Sequence, residues 1–173
     1  MTQELIDLRA SILEGRYEDA LAIVDELDWM SKKATLLAIE SFLLRMLIHL
    51  IKNQLEQRLT NSWAASIRGS IVEIKKRNLQ DNKTSYYVQT DEWETMLEEI
   101  LEQAISDASV EVFNGEYTPF QLSEMVDRNQ IIVIAKNLLY LTYQHSAKEL
   151  PAVINDYLTR LTGGEDWQFG RQR

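Results

Sequence analysis

The sequence predicts an all-α protein, a single-domain bundle of about six to eight helices around one long central helix at about residues 32–59. Helix-forming Leu, Glu, Ala, Lys and Gln dominate the composition. Only two prolines and six glycines occur among 173 residues, which leaves little material for tight turns. Apolar residues recur at spacings of three and four in each periodic segment. We expect the bundle to occupy residues 1–164, with a poorly ordered tail at 165–173 because periodicity ends there.

The first two predicted helices form an antiparallel hairpin. Gly15 is placed to end the first helix in the left-handed conformation, and a second helix follows over residues 17–28. A connection this short brings consecutive helices side by side. The apolar residues of each helix have helical spacing: Leu5, Leu8, Ile12 and Leu13 in the first, and Ala20, Leu21, Ile23, Val24 and Leu27 in the second.

The central helix is predicted from about Lys32 to Leu59, with Ser31 as its N-cap. Between Leu36 and Leu59 it is apolar around most of its circumference, which is typical of a helix at the centre of a bundle. Its remaining side is a narrow polar stripe with spacings of mostly three and four, formed by Ser41, Arg45, His49, Lys52, Asn53 and Glu56.

A basic helix and an acidic helix come next. The basic helix is capped by Asn61 or Ser62 and ends at the cationic run of residues 75–77, where the helix dipole favours positive charge. A polar loop follows over residues 78–89. The acidic helix extends from about residue 90 to about residue 113. We expect these two helices to pack as neighbours and to cancel part of each other's charge.

Three further helices complete the predicted bundle. The segment Thr118-Pro119-Phe120-Gln121 has the pattern of a capping box with proline at the first helical position. The apolar run at residues 131–141 has the length of a helix, and the chain offers no second strand to pair with it. The last helix begins near Pro151 and stops at Gly163-Gly164.

The pairs His49-Lys52 and Ser62-Trp63, with Ser66-Ile67 after them, resemble a known family at matching separations. Leu13-Glu14-Gly15 ahead of the second helix agrees with the same order. The family is the domain of unknown function family twenty-nine, a group of small helical bacterial proteins abundant in cyanobacteria. The resemblance covers residues 5–77 well and the acidic helix loosely. It implies a helical fold and no particular activity.

The composition narrows the possible chemistry and location. The chain has no cysteine, so disulfides and thiolate metal sites are excluded. The stretch Phe42 to Ile51 is interrupted by Arg45 and His49 and is short of the roughly 20 apolar residues that a membrane span needs. With no secretory signal at the start of the sequence, we expect a cytoplasmic protein without a membrane partner.

One polar pocket is the candidate site. Arg45, His49, Lys52, Trp63 and Arg68 combine cations with an aromatic ring on neighbouring helices, a set that suits an anion. The alternative for His49 is a structural role, as a buried imidazole hydrogen-bonded to Ser41 or to a carboxylate such as Glu26 or Glu40. We identify no catalytic residues, and we expect neither a metal nor a cofactor. A histidine metal site would need a carboxylate three or four residues away, and neither His49 nor His145 has one in the interior of its own helix.

Three functions remain open. The absence of a catalytic constellation favours a non-enzymatic module that binds proteins, either itself or others, through surplus apolar side chains at Tyr140, Leu141, Tyr143 and Tyr157. The first alternative is a nucleic-acid-associated protein that uses residues 45–77, which carry seven basic and two acidic residues. The net charge of −9 makes nucleic acid the less expected partner. The second alternative is an enzyme or anion-binding protein with the pocket at His49.

Overall fold

The computed structural model describes residues 1–80 and 85–171. Within these ranges it contains eight α-helices and one short 3-10 turn, which confirms the predicted all-α class. The helices are α1 (Gln3–Leu13), α2 (Tyr17–Glu56), α3 (Asn61–Asn78), α4 (Trp93–Ala108), α5 (Pro119–Met125), α6 (Arg128–Gln144), α7 (Leu150–Leu158) and α8 (Gly164–Gln168), and the 3-10 turn is Val112–Gly115.

The long helix α2 differs from its prediction at both ends. The second helix of the expected hairpin and the central helix are one continuous helix, so Ser31 is an interior residue and not an N-cap. No glycine or proline lies between Asp28 and Lys32 to interrupt the helix, so the helix continues through this segment. It ends at Glu56 rather than Leu59, because Gln57 adopts a left-handed backbone with φ of 52°.

The chain divides into two compact units, residues 1–38 and residues 39–173. The first unit holds α1 and the beginning of α2. Gly15, with φ of 73°, ends the first helix as predicted, and the backbone N–H of Arg16 donates to the Ser11 carbonyl at 2.8 Å. Only Ser11 and Ala20 are buried in this unit. The assignment of one domain to residues 1–164 stays a prediction.

The second unit holds the apolar core. The predicted central position of the long helix is confirmed for its second half, where the other helices pack against it. Fully buried core side chains come from six of the described helices and include Leu43, Leu47 and Leu50 of α2, Ile67 and Ile71 of α3, Trp93 and Leu97 of α4, Leu122 of α5, Leu138 of α6 and Ile154 of α7.

The packing order of the second unit differs from the expectation for its charged helices. The basic helix α3 packs against α6 and α7, whereas the acidic helix α4 packs against α5 and α6. The carboxylates of α4 accordingly pair with α6: Lys136 Nζ lies 2.9 Å from a Glu94 oxygen, and Arg128 Nη2 lies 2.8 Å from a Glu102 oxygen. Pairing of the basic helix with the acidic helix was therefore the wrong prediction, since loop length alone does not fix which helices become neighbours.

The predicted N-terminal cap is confirmed for α5 and wrong for α3. Thr118 and Gln121 form the predicted capping box, and Pro119 is the first residue of α5. The N-cap of α3 is Thr60, whose hydroxyl accepts from the backbone N–H of Trp63 at 3.0 Å, and not Asn61 or Ser62.

A short helix lies near the end of the described chain. Residues 164–168 form α8, and the indole N–H of Trp167 donates to Asn61 Oδ1 at 3.2 Å. The poor order expected of residues 165–173 stays a prediction. Residues 172–173 lie outside the described residues, as do residues 81–84 of the predicted loop.

One helix of the described chain, α2, is long and apolar enough to cross a membrane by length and composition. Its most apolar window has a mean hydropathy of 1.8, and 33% of that window is buried inside the fold. A core helix passes the same test, and the lack of a membrane span stays a prediction.

Candidate functional site

The five predicted pocket residues lie on two helices of the second unit, Arg45, His49 and Lys52 on α2, and Trp63 and Arg68 on α3. Lys52 and Trp63 come together, with the Lys52 Nζ 4.9 Å from the centre of the Trp63 ring. Arg45 donates to the Ser66 hydroxyl at 3.3 Å. Arg68 turns to another helix and donates to the Asn155 side-chain oxygen of α7 at 2.9 Å.

His49 is half-buried and hydrogen-bonded within its own helix. Its Nδ1 lies 2.8 Å from the Arg45 carbonyl oxygen, so the partner is the backbone one turn earlier and not the Ser41 hydroxyl or the carboxylates of Glu26 or Glu40. Burial lowers the pKa of His49, and the nearby charges of Lys52 and Arg45 lower it further. The lowered pKa favours the neutral imidazole in the folded protein, which agrees with a structural role.

The Trp63 ring is contacted by two cations. Besides Lys52, the Arg58 guanidinium carbon lies 4.7 Å from the ring centre, within the range of a cation–π interaction. Arg58 is held by Glu56, whose Oε1 accepts from its Nε at 3.1 Å and from its Nη2 at 3.0 Å. Lys52 is only 8% exposed and donates to Glu111 at 3.0 Å. Glu111 lies 59 positions from Lys52, so no local pattern could have identified it.

The cations at the C-terminal end of α3, which belong to the basic residues of segment 45–77, also have hydrogen-bond or ion-pair partners. Lys75 donates to the Thr142 carbonyl at 2.6 Å. Lys76 and Arg77 both pair with Glu73 on their own helix, and the Arg77 guanidinium carbon lies 4.9 Å from the centre of the Phe42 ring. A cation that already has an ion-pair or hydrogen-bond partner binds an incoming phosphate less strongly than a free cation does.

A cleft of about 490 Å³, which the sequence did not predict, lies beside the N-terminus of α3. Gly163 brings its two walls together, because a Cβ at this position would lie 2.6 Å from the Arg58 Cα. The charged groups of the cleft are paired, as Arg171 Nε lies 3.0 Å from Asp166 Oδ1. Two residues of the lining contact the predicted pocket residue Trp63: Arg58 lies over its ring, and the Thr60 hydroxyl accepts from its backbone N–H. The lining residues are Arg58, Leu59, Thr60, Asn61, Gly163, Asp166, Trp167, Gly170 and Arg171.

Among the described residues, no group of three or more His, Asp or Glu side chains is placed to hold a metal ion. The Glu98 and Glu99 carboxylates of α4 are exposed, in keeping with the solvated face that an acidic amphipathic helix presents. In the second unit, the described side chains around Trp63 therefore form cation–π contacts and ion pairs.

The first unit exposes many large apolar side chains. Eleven of the seventeen exposed large apolar side chains in the described chain belong to residues 1–38. Leu21 is 63% exposed and Trp29 is 60% exposed, although both lie within a regular helix. We call the following set the hairpin surface: Leu5, Ile6, Ile12, Leu13, Tyr17, Leu21, Val24, Trp29, Met30 and Leu37.

The predicted location of surplus apolar side chains was wrong. Tyr140, Leu141, Tyr143 and Tyr157, expected to form an exposed patch, are all partly buried. The Tyr157 hydroxyl accepts from Asn137 at 3.1 Å, and the Tyr143 hydroxyl donates to the Val88 carbonyl at 2.8 Å. Apolar periodicity was similar in both halves of the chain, so only the packing reveals which apolar faces stay uncovered.

The fold and these surfaces define a helical-bundle protein with an uncovered apolar hairpin. The chain belongs to the family described as domain of unknown function DUF29, whose model matches residues 16–131. The match confirms the resemblance and extends through the acidic helix α4 to the start of α6. No curated protein and no solved structure matches the chain.

Proposed function

We propose that this chain is a non-enzymatic protein-interaction module and that its hairpin surface docks a partner protein. The observation that supports the proposal is the concentration of exposed large apolar side chains in residues 1–38. Soluble monomers rarely leave a contiguous apolar patch of more than a few hundred Å² uncovered, and larger patches mark interaction sites.

The size and energetics of the hairpin surface suit a specific interface. From Tyr17 to Leu37 the helix is about 30 Å long at 1.5 Å per residue, so its exposed apolar side chains are spread over several helical turns. Burying one large apolar side chain contributes about 1.5–3 kcal/mol. A few such side chains in a well-packed centre are enough for binding, since a small number of residues dominates the affinity of most interfaces.

The first alternative, binding to nucleic acid through residues 45–77, has weaker support. Lys52, Lys75 and Arg77 each have a partner within the fold. A titration with labelled duplex DNA and single-stranded RNA at about 0.15 M salt tests it, since phosphate contacts are released as salt is added. Micromolar binding that weakens steeply with salt would favour this alternative over the protein-interaction module.

The second alternative, an enzyme or anion-binding protein with a pocket at His49, rests on the cluster of Arg45, His49, Lys52 and Trp63. Arg68 contacts α7 and does not complete it. The lowered pKa of His49 favours the neutral imidazole, whose Nδ1–H donates to the Arg45 carbonyl and leaves Nε2 as the basic nitrogen, an arrangement that would suit a general base. A bound small anion against Lys52 in a crystal would support this alternative.

Site-specific crosslinking tests the docking proposal. A photoreactive phenylalanine analogue is placed at Leu21, on the hairpin surface, or at Phe120, which is 85% exposed and lies in the second unit. We expect illumination of source cells to give one discrete protein adduct from position 21 and none from position 120. The adduct's partner is then identified and purified.

The purified partner allows a quantitative measurement. We expect the double substitution Leu21→Ser and Val24→Ser to weaken binding about tenfold or more, because both side chains lose their apolar contact. Phe120→Ser, the matched control, leaves the affinity unchanged. Equal adducts from both positions, or an affinity insensitive to the double substitution, would refute docking at this surface.

A further inference from the structure

An acidic border accompanies the apolar stripe on the first half of α2. Tyr17, Leu21 and Val24 are exposed and repeat at spacings of four and three, which places them on one face of the helix. Asp28 continues that face four residues beyond Val24, and its side chain is exposed. Two further exposed carboxylates, Glu18 and Asp25, follow Tyr17 and Val24 directly and border the stripe on one side. We call Glu18, Asp25 and Asp28 the acidic border.

The carboxylates of the acidic border form no ion pair in the described part of the chain, and the nearest cation along the helix, Lys32, lies one turn beyond Asp28. Arg16 pairs with Glu14 at 2.9 Å and with Asp19 at 3.1 Å, but Glu18, Asp25 and Asp28 have no ion-pair partner among the described residues. Residues 1–38 contain eight acidic and four basic residues, a net charge of −4. Of the basic residues, Lys33 lies over the Trp29 ring, with its Nζ 5.0 Å from the ring centre.

We propose that the hairpin surface binds a basic amphipathic helix of a partner protein; this inference rests on the proposed docking function. The apolar face of the partner helix covers Tyr17, Leu21 and Val24, and its lysine or arginine residues face the acidic border. A stripe with spacings of three and four on one helix offers ridges and grooves into which a second helix packs. The charge of the border selects a cationic partner by complementarity.

The same charge disfavours two other occupants. A second copy of this chain would bring two hairpins of net charge −4 together, and like charges at an interface oppose association. An anionic lipid surface attracts basic segments and repels this one. The charge of the described hairpin residues therefore suits a basic partner helix better than a second copy of this chain or an anionic lipid surface.

Two synthetic peptides test the inference on the full chain. Both have 18 residues in the same amphipathic pattern, one built from Leu and Lys and the other from Leu and Glu, and both carry a fluorescent label for anisotropy. We expect the Leu/Lys peptide to bind about tenfold more tightly than the Leu/Glu peptide and to weaken several-fold between 0.05 and 0.5 M salt.

Two matched pairs of variants distinguish attraction of the peptide to the acidic border from attraction to the total negative charge of the protein. The pair Asp25→Asn and Asp28→Asn weakens the Leu/Lys peptide several-fold, whereas Glu98→Gln with Glu99→Gln changes net charge equally on α4 and leaves binding as it was. Equal losses in both pairs would overturn the inference, because they would reveal attraction to the whole acidic protein. The charge substitutions are exposed and isosteric, so they leave folding intact.

Other outcomes distinguish this inference from the docking proposal itself. If both peptides bind equally and the Leu21→Ser, Val24→Ser variant binds neither, the docking surface is supported and the basic partner is refuted. Self-association in sedimentation that is lost in this variant would identify a second copy as the occupant and overturn the inference. Leu21-dependent binding to phosphatidylcholine vesicles would overturn it in favour of lipid. The absence of a specific adduct at position 21 would refute docking altogether.

Discussion

Asn78 and Val88 exchange two hydrogen bonds across the loop that joins α3 to α4. The Asn78 side-chain oxygen accepts from the Val88 N–H at 2.7 Å, and its amide nitrogen donates to the Val88 carbonyl at 3.1 Å. The Tyr143 hydroxyl joins this pair, since it accepts from Asn78 at 3.1 Å and from the Trp93 indole at 2.8 Å. Three helices and a loop thus share one buried polar network.

Replacing Asn78 with Ala should destabilise the fold by about 2 kcal/mol or more, because the Val88 N–H loses its partner inside the protein. Asn78 is only 2% exposed, so water does not readily replace the amide. Urea unfolding followed by circular dichroism measures the change. Asn129→Ala, at an exposed position of α6, is the control and should stay close to wild type. Equal stability of the two variants would contradict the role of the network.

The Tyr143 hydroxyl predicts a loss of stability in alkali. Burial raises the pKa of Tyr143, although the hydrogen bonds from Trp93 and Asn78 oppose the shift. A raised pKa in the folded state means that stability is complete below the ordinary tyrosine pKa of about 10 and declines as pH rises above it.

Unfolding free energies measured between pH 8 and 11 test the alkaline prediction. We expect Tyr143→Phe to be less stable at pH 8, because the Trp93 and Asn78 donors lose their acceptor, by about 1–3 kcal/mol. The variant should also show a flatter decline above pH 10. Tyr17→Phe removes an exposed hydroxyl and should keep the wild-type slope. A Tyr143→Phe profile parallel to wild type would refute the prediction.

His49 predicts a loss of stability in mild acid. Its lowered pKa means that the folded state favours the neutral imidazole, so stability is complete above the ordinary histidine pKa of about 6.5 and is lost as pH falls below it. His49→Gln removes this dependence, and its unfolding midpoint should fall less than that of wild type between pH 7 and pH 5. The control His145→Gln keeps the His49 contribution. An NMR titration in which His49 titrates above pH 6.5 would contradict the prediction.

Asn53 links the end of α2 to the turn before α8. Its side-chain amide donates to the Arg58 carbonyl at 3.0 Å and to the Thr162 carbonyl at 2.9 Å, and it is 2% exposed. Asn53→Ala should destabilise the protein by about 1–3 kcal/mol, and Asn53→Asp by more, because a carboxylate would face two carbonyl oxygens. Thermal unfolding measures both. Gln103→Ala, on the exposed face of α4, is the control, and an equal loss there would refute the assignment.

Features that depend on a few neighbouring residues followed directly from the sequence. The capping box at Thr118 and Gln121 is confirmed, because both its hydrogen bonds lie within four residues. The break at Gly15 is confirmed for a similar reason, since a left-handed turn suits a residue without Cβ. Ser31 failed as an N-cap because serine is also tolerated inside a helix whose flanking residues favour helix.

The candidate site depended on contacts that no local pattern encodes. The Lys52 Nζ lies over the Trp63 ring, whereas Arg68 contacts α7. The residues that complete the cluster, Arg58 and Glu111, were recognisable only as single charges in a charged chain. Their roles follow from the turn at Gln57 and from the approach of Glu111 to α2, both of which are tertiary features.

The sequence by itself determined that the protein is all-α, that other helices pack against one long helix, and that it belongs with DUF29, because helical periodicity, caps and family motifs are local properties of the chain. Only the tertiary structure decided that α3 packs against α6 and α7, and that the uncovered apolar side chains lie mainly in residues 1–38. An apolar stripe shows that a helix has a face to bury, but which faces find a partner depends on all the helices packing together.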